Sequence, residues 1–356
     1  MHIEHVNLAK GFRGGERQTL NLIEGLAARG VSQTLVCHPA SELWRRARAL
    51  GVATRPALNA LGGHLSASAA NIIHVHEARG IYWALIENLL RQTPYLVTRR
   101  IPNPVSGSLL NRVAYRRATQ LVGVSRDVAS RLGVQTDLPV QVIFDCCTVH
   151  AVDMERVKSI RRELSGDGAS GGTIGPIIGH VGALYDHHKG QSILIAAFLE
   201  LLKQYPDARL VLLGEGPDKK QFQQLAGNDP RVVFAGFQED VGSWIAALDV
   251  FAFPSREEGL GSSVLDAMML GVPVVSSAAG GLPELIGNQE RGLIVRDSDP
   301  QQWADAIDRL LQDQALRQRL RDAARTFAQQ HDVAAMARQY MDLYEKIIRA
   351  RTAASA

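Results

Sequence analysis

Residues 253–268, with the sequence FPSREEGLGSSVLDAM, contain the densest group of side chains that could do chemistry. A strand is predicted to end at Phe253, and a helix is predicted to begin near Ser262 or Ser263, because serine caps helix starts well. The free backbone amides around this start, over residues 260–263, would bind an anion, with the positive end of the helix dipole behind them. The local sequence therefore predicts an anion site.

Two carboxylates flank the predicted anion site. Glu258 lies in the loop and Asp266 lies near the start of the helix, so both can face one polyhydroxylated ligand. Because carboxylates accept paired hydrogen bonds from vicinal hydroxyls, this pair fits a phosphorylated sugar or a nucleotide ribose better than a metal ion. The alternative is a solvated Glu-Glu turn followed by an aspartate that only caps the helix.

This stretch resembles the signature of the family 4 retaining glycosyltransferases, in which a Glu is followed, after seven residues, by a second Glu. Members of that family have the GT-B architecture and transfer sugars from nucleotide-sugar donors. The matching positions are Glu258 and Asp266, and the resemblance extends over nearly the whole chain. It implies that Glu258 holds hydroxyls of the donor sugar and that Asp266, one methylene shorter than the usual Glu, holds the ribose.

The resemblance also implies a phosphate-binding lysine at Lys189, after the strand and turn at residues 179–184. An ammonium at this position would stabilise the negative charge that develops on the departing diphosphate. Ala183 stands where the family commonly has an arginine, so the diphosphate depends on Lys189 and on the amides of the helix start. His187 and His188 are either further cations for the diphosphate or incidental loop residues.

Several glycine-containing loops match the donor site of the family. The donor-binding residues that the resemblance implies, besides Asp266, are Gly14, Gly15, Gly182, Gly214, Phe237, Gly259, Leu260, Gly261 and Ser262. Paired glycines such as Gly14 and Gly15 let the backbone approach a phosphate closely, and in the family this loop reaches across the cleft to the donor. The loop is not the dinucleotide fingerprint G-x-G-x-x-G, which weakens an oxidoreductase interpretation.

The acceptor side is represented by His76, Glu77 and Arg100. His74 and His76 end a predicted strand and share one face of it. A His-x-His pair suggests zinc, but no third ligand is evident and no metal is expected; the resemblance makes His76 and Glu77 acceptor-side residues. Arg100 stands where many family members carry a histidine near the reacting carbon, and an arginine suits a phosphate or carboxylate.

Short apolar runs alternate with helical patterns along the whole chain, which is typical of parallel α/β proteins. The predicted strands are 3–8, 34–37, 72–75, 95–98, 120–124 and 140–144 in the first half, and 177–182, 209–213, 232–235, 250–253, 272–276 and 293–295 in the second. A length of 356 residues fits two domains. We expect a GT-B fold, with two Rossmann-like doubly wound parallel-sheet domains facing a central cleft.

The predicted domains are residues 1–150, on the acceptor side, and residues 151–334, which bind the nucleotide sugar, with a hinge between 145 and 175. A last helix, about 335–356, is expected to pack back on the first domain. The net charge of +3 conceals an asymmetry, because residues 1–150 carry 17 Lys+Arg and 9 Asp+Glu, a net of +8, and the rest carry 22 − 27 = −5. The basic half suggests an anionic partner.

We therefore expect a metal-independent hexosyltransferase without a cofactor, which moves a sugar with retention to a glycan, lipopolysaccharide or lipid-linked acceptor. The alternatives are a nucleotide-sugar epimerase or phosphorylase of the same fold, or a non-catalytic nucleotide-binding module. Nucleic acid is not an expected partner, because the basic segments lack interleaved aromatic residues. Three cysteines, Cys37, Cys146 and Cys147, lack metal-type spacing and are typical of reduced thiols.

The sequence predicts a cytoplasmic protein that is peripheral on the inner face of the membrane. Its start lacks the pattern of a secretion signal, and no run of about 18 apolar residues is present. Six arginines on two predicted helices could dock on anionic lipid, although ordinary solvated helix faces would look the same. These are Arg45, Arg46, Arg48, Arg112, Arg116 and Arg117.

Overall fold

The computed structural model describes residues 1–62, 64, 69–148, 150–165 and 175–355. The chain divides into two compact units, which are unit 1 (Met1–Cys146 with His331–Ala356) and unit 2 (Cys147–Gln330). The boundary between residues 146 and 147 agrees with the contacts of these two cysteines, which bond to different units. The side chain of Gln18 bonds to both backbone groups of Cys146, at 2.7 and 3.1 Å, whereas the sulfur of Cys147 lies 3.5 Å from the carbonyl oxygen of Ala328. Residues 166–174 of the expected hinge lie outside the described residues.

Unit 1 is built on a seven-stranded parallel sheet. Its strands are β1 (His2–Asn7), β2 (Ser32–Cys37), β3 (Ala53–Pro56), β4 (Ile72–Val75), β5 (Tyr95–Arg99), β6 (Gln120–Gly123) and β7 (Val140–Val142), and the connecting helices are α1 (Gly14–Ala27), α2 (Glu42–Ala49), α3 (Gly80–Arg91), α4 (Leu109–Arg117) and α5 (Arg126–Thr136). The strand order is β3-β2-β1-β4-β5-β6-β7. The winding direction therefore reverses between β1 and β4, which is where ligands bind in open α/β sheets.

Alternate residues of the strands in unit 1 point to opposite faces of the sheet. In β2, Leu35 packs in a cluster with Leu43 of α2, whereas the next residue, Val36, packs in a cluster with Ala114 of α4. Helices α2 and α4 therefore cover opposite faces. The six arginines proposed as one lipid-binding surface cannot form it together, because the sheet separates the two helices.

Unit 2 is built on a six-stranded parallel sheet. After α6 (Met154–Ser165), its strands are β8 (Ile177–Val181), β9 (Arg209–Leu213), β10 (Val232–Gly236), β11 (Val250–Phe253), β12 (Val274–Ser277) and β13 (Leu293–Val295), and its further helices are α7 (Asp186–Lys189), α8 (Gln191–Leu201), α9 (Lys219–Leu225), α10 (Val241–Ala246), α11 (Ser262–Met269), α12 (Leu282–Ile286), α13 (Pro300–Gln312) and α14 (Gln314–Gln329). The strand order is β10-β9-β8-β11-β12-β13, so the winding direction reverses between β8 and β11. The predicted fold class of two parallel-sheet, Rossmann-like α/β units is confirmed.

The last helix, α15 (Val333–Ser355), packs on α1 in unit 1. The two helices approach closely at Gly25, where a Cβ atom would lie only 2.9 Å from the Cβ of Ala337. Met336 and Tyr340 join Ile3 in the apolar cluster beneath this contact. Although α15 has 23 residues, neither it nor any other helix in the described part of the chain is long and apolar enough to cross a membrane.

Candidate active site

The carboxyl ends of β8 and β11 lie side by side in unit 2, at the point where the winding direction reverses. This is the usual ligand position in an open parallel sheet. Two predicted donor residues extend neighbouring strands there. The N–H of Gly182 donates to the carbonyl oxygen of Leu213 at 3.0 Å, and the N–H of Gly214 donates to that of Gly236 at 2.8 Å. Because both residues are glycines, a ligand at these strand ends would meet backbone groups and few side chains.

Lys189 and Glu258, the two predicted catalytic residues, form an ion pair within unit 2. The Nζ of Lys189 lies 2.5 Å from the Oε2 of Glu258, and the two side chains are 22% and 16% exposed. The Oε1 of Glu258 accepts a hydrogen bond from the N–H of Gly259 at 3.2 Å. Because an ammonium has three N–H donors and a carboxylate accepts several bonds, each group keeps capacity for a ligand.

The loop that carries Glu258 is held from both sides by glycines. Gly190 (φ 63°) follows Lys189, and a Cβ atom there would lie 2.3 Å from the carbonyl oxygen of Pro254. Gly280 (φ 52°) lies on the other side, where a Cβ atom would approach the carbonyl oxygen of Glu258 to within 1.8 Å. Both positions need a left-handed backbone and no side chain. These contacts position the lysine and the glutamate relative to each other.

The carbonyl oxygen of His188 fastens the same loop to α7. It accepts hydrogen bonds from the Oγ of Ser255 at 2.8 Å and from the N–H groups of Arg256 and Glu257 at 2.8 and 3.2 Å. The ring of His188 also pairs with the carboxylate of Glu257 at 2.9 Å. Its neighbour His187 is exposed. Main-chain bonds of this kind keep Lys189 close to the Glu258 loop.

The helix start predicted at Ser262 is confirmed, but the predicted serine cap is wrong. Helix α11 begins at Ser262, its N-cap is Gly261 with φ 100°, and no side chain caps it. The left-handed turn at Gly261 brings the chain into the helix, so neither serine occupies the cap position. An uncapped start leaves first-turn amides for a ligand anion. Leu260, just before the cap, is buried and anchors the turn.

Asp266, the predicted ribose ligand, is engaged by other residues. Its Oδ1 accepts the N–H of Thr148 at 2.7 Å, and its Oδ2 accepts the Nε2–H of His150 at 3.0 Å. The residue is 8% exposed. Phe237, one of the predicted donor-binding residues, follows β10 and is exposed. The donor contacts of Asp266 and Phe237 stay predictions.

Two buried residues beneath Lys189 were missed by the sequence analysis. His180 is fully buried, its Nδ1 donates to the carbonyl oxygen of Ala252 at 3.1 Å, and its ring stacks on Phe253. Burial, with a contribution from the Lys189 charge, lowers the pKa of His180 to about 3. The Nε2 of Gln191 donates to the carbonyl oxygen of Ala183 at 2.7 Å. The available signal was a single histidine in the apolar strand IIGHV.

A cluster of histidines lies in unit 1 at the reversal point between β1 and β4. His5 is the third imidazole that the sequence analysis lacked, since its Nδ1 shares a hydrogen bond of 2.9 Å with the Nε2 of His76, and the ligand atoms of His5, His74 and His76 lie within 4.8 Å of one another. Their remaining ring nitrogens contact Gln33, Thr98, Tyr344 and Arg100. The Arg100 guanidinium, 3.3 Å from His76, would repel a cation, so the cluster is built as a hydrogen-bonded network.

Arg100 and Glu77, the other predicted acceptor-side residues, form hydrogen bonds within unit 1. Arg100 is held by Asp145 at 3.0 Å and by the carbonyl oxygen of His76 at 3.3 Å. Glu77 accepts the N–H groups of Arg79 and Gly80, at 2.7 and 2.6 Å, and so holds the start of α3. Burial raises the pKa of Glu77. Gly14 and Gly15 are the first residues of α1, and their donor contact stays a prediction.

Acidification is expected to destabilise unit 1 below pH 6.5. Burial lowers the pKa of His5 from 6.5 to about 4 and lowers those of His74 and His76 well below 6.5. The unfolded chain therefore takes up protons first, and each histidine removes about 1.4 kcal/mol of unfolding free energy per pH unit between its two pKa values. Denaturant unfolding at pH 7.5, 6 and 5 measures this. His5→Gln should reduce the slope, and equal stability at pH 7.5 and 5 would contradict the prediction.

A solved structure shows which known fold the chain resembles. The chain matches Anabaena Alr3699/HepE, solved in complex with UDP and glucose, with a TM-score of 0.82 over 97% of this chain and 100% of that one, at 19% sequence identity. At this identity the likeness shows the fold. The two parallel-sheet units therefore match the predicted GT-B fold.

One family model matches part of unit 2, and relatives match parts of the chain. Residues 175–313 match the family described as glycosyl transferases group 1. The chain is 35% identical over 173 residues to the D-inositol 3-phosphate glycosyltransferase of Corynebacterium kroppenstedtii, covering 45% of this chain and 38% of that protein. It is 36% identical over 148 residues to the lipopolysaccharide core biosynthesis glycosyltransferase LpsE of Rhizobium meliloti, covering 41% and 42%. The matches span about two fifths of these relatives.

Proposed function

We propose that this protein is a retaining glycosyltransferase of family 4 that transfers a sugar from a nucleotide sugar to a glycan, lipopolysaccharide or lipid-linked acceptor. The observation that carries the proposal is the pairing of Lys189 with Glu258 at the sheet edge where ligands of parallel sheets bind. The match of residues 175–313 to the glycosyl transferases group 1 family and the similarity to relatives named as glycosyltransferases support it. The complex of HepE with UDP and glucose supports a nucleotide-sugar donor.

Each part of the site has a task in this proposal. The ammonium of Lys189 and the amides at the start of α11 bind the diphosphate, on which negative charge develops as it departs. Glu258 accepts hydrogen bonds from hydroxyls of the donor sugar and keeps Lys189 in place. Unit 1 binds the acceptor, with His76, Glu77 and Arg100 as the acceptor-side residues. No metal is required for these steps.

The reaction breaks the bond between the anomeric carbon and the diphosphate oxygen and forms a bond from the same carbon to an acceptor oxygen. The acceptor hydroxyl approaches on the face from which the diphosphate departs, so the anomeric configuration is retained. Its proton passes to an oxygen of the leaving phosphate. This front-face displacement needs charge stabilisation and positioning rather than a protein nucleophile.

A screen of nucleotide sugars for binding and turnover tests the proposal. The protein is expected to bind one donor and, with an acceptor glycan or lipid-linked sugar, to form a product with the donor's anomeric configuration, which NMR can read. Consumption of donor without transfer would favour an epimerase or a phosphorylase. Binding without turnover on any acceptor would favour a nucleotide-binding module, and inversion at the anomeric carbon would contradict the retaining mechanism.

We further propose that α4 docks unit 1 on an anionic membrane. Leu109 and Leu110 are 78% and 57% exposed, and Arg112 and Arg116 are exposed on the same helix. An apolar stretch beside basic side chains fits the interface of an anionic bilayer. The arginines of α2 lie on the opposite face of the sheet and do not contribute to this surface.

Arg116→Glu is expected to weaken binding to vesicles containing anionic lipid by about 5- to 30-fold, because each basic residue near the surface contributes about 1 kcal/mol and the substitution changes the charge by two units. Sedimentation with phosphatidylglycerol vesicles at low salt measures the change. Arg48→Glu on α2 makes the same charge change on the opposite face and should bind like the original protein. Equal losses in both variants, or no vesicle binding at all, would contradict docking through α4.

A further inference from the structure

Two histidines and a glutamate, next in sequence to Lys189 and Glu258, form a group of possible metal ligands. One ring nitrogen from each of His187 and His188 and one carboxylate oxygen of Glu257 lie within 4.8 Å of one another. The Nδ1 of His188 and the Oε2 of Glu257 are 2.9 Å apart. Zinc bonds to imidazole nitrogen and carboxylate oxygen at about 2.0–2.2 Å, which places the ligand atoms of a tetrahedral site about 3.3 Å apart. Two histidines and a glutamate are a ligand set that zinc uses in proteins.

The backbone that carries these side chains is held in place. The carbonyl oxygen of His188 accepts hydrogen bonds from the N–H groups of Arg256 and Glu257 at 2.8 and 3.2 Å, so α7 and the glutamate loop are joined directly. The ring of Tyr185 lies 5.9 Å from that of His187 and 4.9 Å from that of His188, measured between ring centroids. The three candidate ligands therefore extend from a fixed backbone, which is what a metal site needs in order to hold its geometry.

The three side chains are accessible to an ion. Those of His188 and Glu257 are 35% and 42% exposed, and His187 is exposed. Exposed side chains can rotate to bring their ligand atoms to the tetrahedral spacing, and solvent can supply a water molecule as the fourth ligand. The imidazole cluster of unit 1 differs in both respects, because its three rings are buried and bonded to neighbouring side chains. That cluster also has three histidines and no carboxylate as its possible ligands among the described residues.

The charges around the exposed group are compatible with a bound cation. The ammonium of Lys189 is paired with Glu258 at 2.5 Å, and the Nη2 of Arg256 lies 3.5 Å from the Oδ2 of Asp186. Each of these two cations thus has a carboxylate beside it, so its repulsion of a metal ion is partly cancelled. Glu257 supplies a negative charge at the ligand position itself.

We propose that His187, His188 and Glu257 bind one zinc ion, with water as the fourth ligand. The ion joins α7 to the loop that follows β11, and these two segments also carry Lys189 and Glu258. It takes no part in sugar transfer, and the site does not depend on the proposed function. Because a ligand that binds only the folded protein stabilises it, zinc should favour the folded arrangement of these two segments.

Calorimetric titration of the chelator-treated protein with zinc chloride at pH 7.5 tests the site. The original protein should bind zinc, and His187→Gln, His188→Gln and Glu257→Gln should each weaken binding by about tenfold or more, because loss of an outer-shell partner alone costs about 10- to 100-fold. His38→Gln is the matched control, since it removes a partly exposed histidine of unit 1 whose Nδ1 accepts the N–H of Ala40. The control variant should bind zinc like the original protein.

Cobalt(II) provides a second measurement of the same site. Bound in place of zinc, it should give the visible absorption of a four-coordinate ion, which the three ligand variants should lose and His38→Gln should keep. Because the three side chains are exposed to solvent, the variants should stay folded, and circular dichroism checks this. Unchanged zinc affinity in any of the three ligand variants, an equal loss in His38→Gln, or no zinc binding by the original protein would overturn the proposal.

Discussion

Lys189→Ala is expected to lower kcat for sugar transfer by about 100- to 1000-fold, the usual loss when one donor to a developing negative charge is removed. The Lys189 ammonium lies beside Glu258 and follows a strand end at the reversal point of the sheet, where it is the cation proposed for the diphosphate. The variant should stay folded, because the ion pair is partly exposed to solvent. Steady-state kinetics with the identified donor measure kcat, and circular dichroism shows whether the variant is folded.

Lys203→Ala is the matched control for this substitution. Lys203 pairs with Glu200 at the exposed end of α8, where ion pairs contribute little. The Lys203→Ala variant should therefore transfer sugar at the rate of the original protein. A second variant, Lys189→Arg, keeps the charge but changes its shape, and it should recover only part of the activity. Unchanged kcat in Lys189→Ala would remove Lys189 from the site.

Glu258→Gln is expected to lower kcat/KM for the donor by about 10- to 100-fold, which corresponds to the loss of one charged hydrogen-bond acceptor. Glutamine keeps the size of the side chain and an oxygen for the Gly259 N–H, but loses the charge that holds Lys189. Because Lys189 and Glu258 touch, the double variant Lys189→Ala/Glu258→Gln should lose less than the sum of the two single losses. Steady-state kinetics of the original protein, the two single variants and the double variant give the coupling energy between Lys189 and Glu258.

Glu257→Gln provides the control at the adjacent position. Glu257 is half-exposed and pairs with the ring of His188 instead of Lys189. Its substitution should leave donor kinetics close to those of the original protein. Additive losses in the double variant, or equal losses in Glu257→Gln and Glu258→Gln, would contradict the specific pairing seen in the structure.

Much of the fold was predictable from local sequence. Strands in apolar runs such as 72–75 and 209–213 lie where the periodicity predicted them, because strands buried on both faces need continuous apolar residues. Strand β3, with the sequence ATRP, was missed because an edge strand is only half-buried and carries polar residues. The start of α11 was predicted correctly, but its cap was assigned to a serine because serine is the commoner cap and the left-handed turn at Gly261 has no local signal.

The partners of the candidate residues were less predictable than their positions. Lys189 and Glu258 were both singled out, but their contact joins residues 69 positions apart. His5 and His76 are 71 positions apart, and the bond between Thr148 and Asp266 spans 118. Each of these contacts depends on which strands are neighbours, and hydrophobic periodicity does not encode that order.

The sequence by itself determined the α/β class, the helix start beside Glu258 and the residues that could bind a diphosphate, because periodicity, glycine placement and side-chain chemistry are local properties. Only the tertiary structure decided which partners those residues have within the protein. It paired Lys189 with Glu258 and bound both oxygens of Asp266 to Thr148 and His150. A buried polar group must find a partner wherever the fold brings one, and that choice is made by packing across the whole chain.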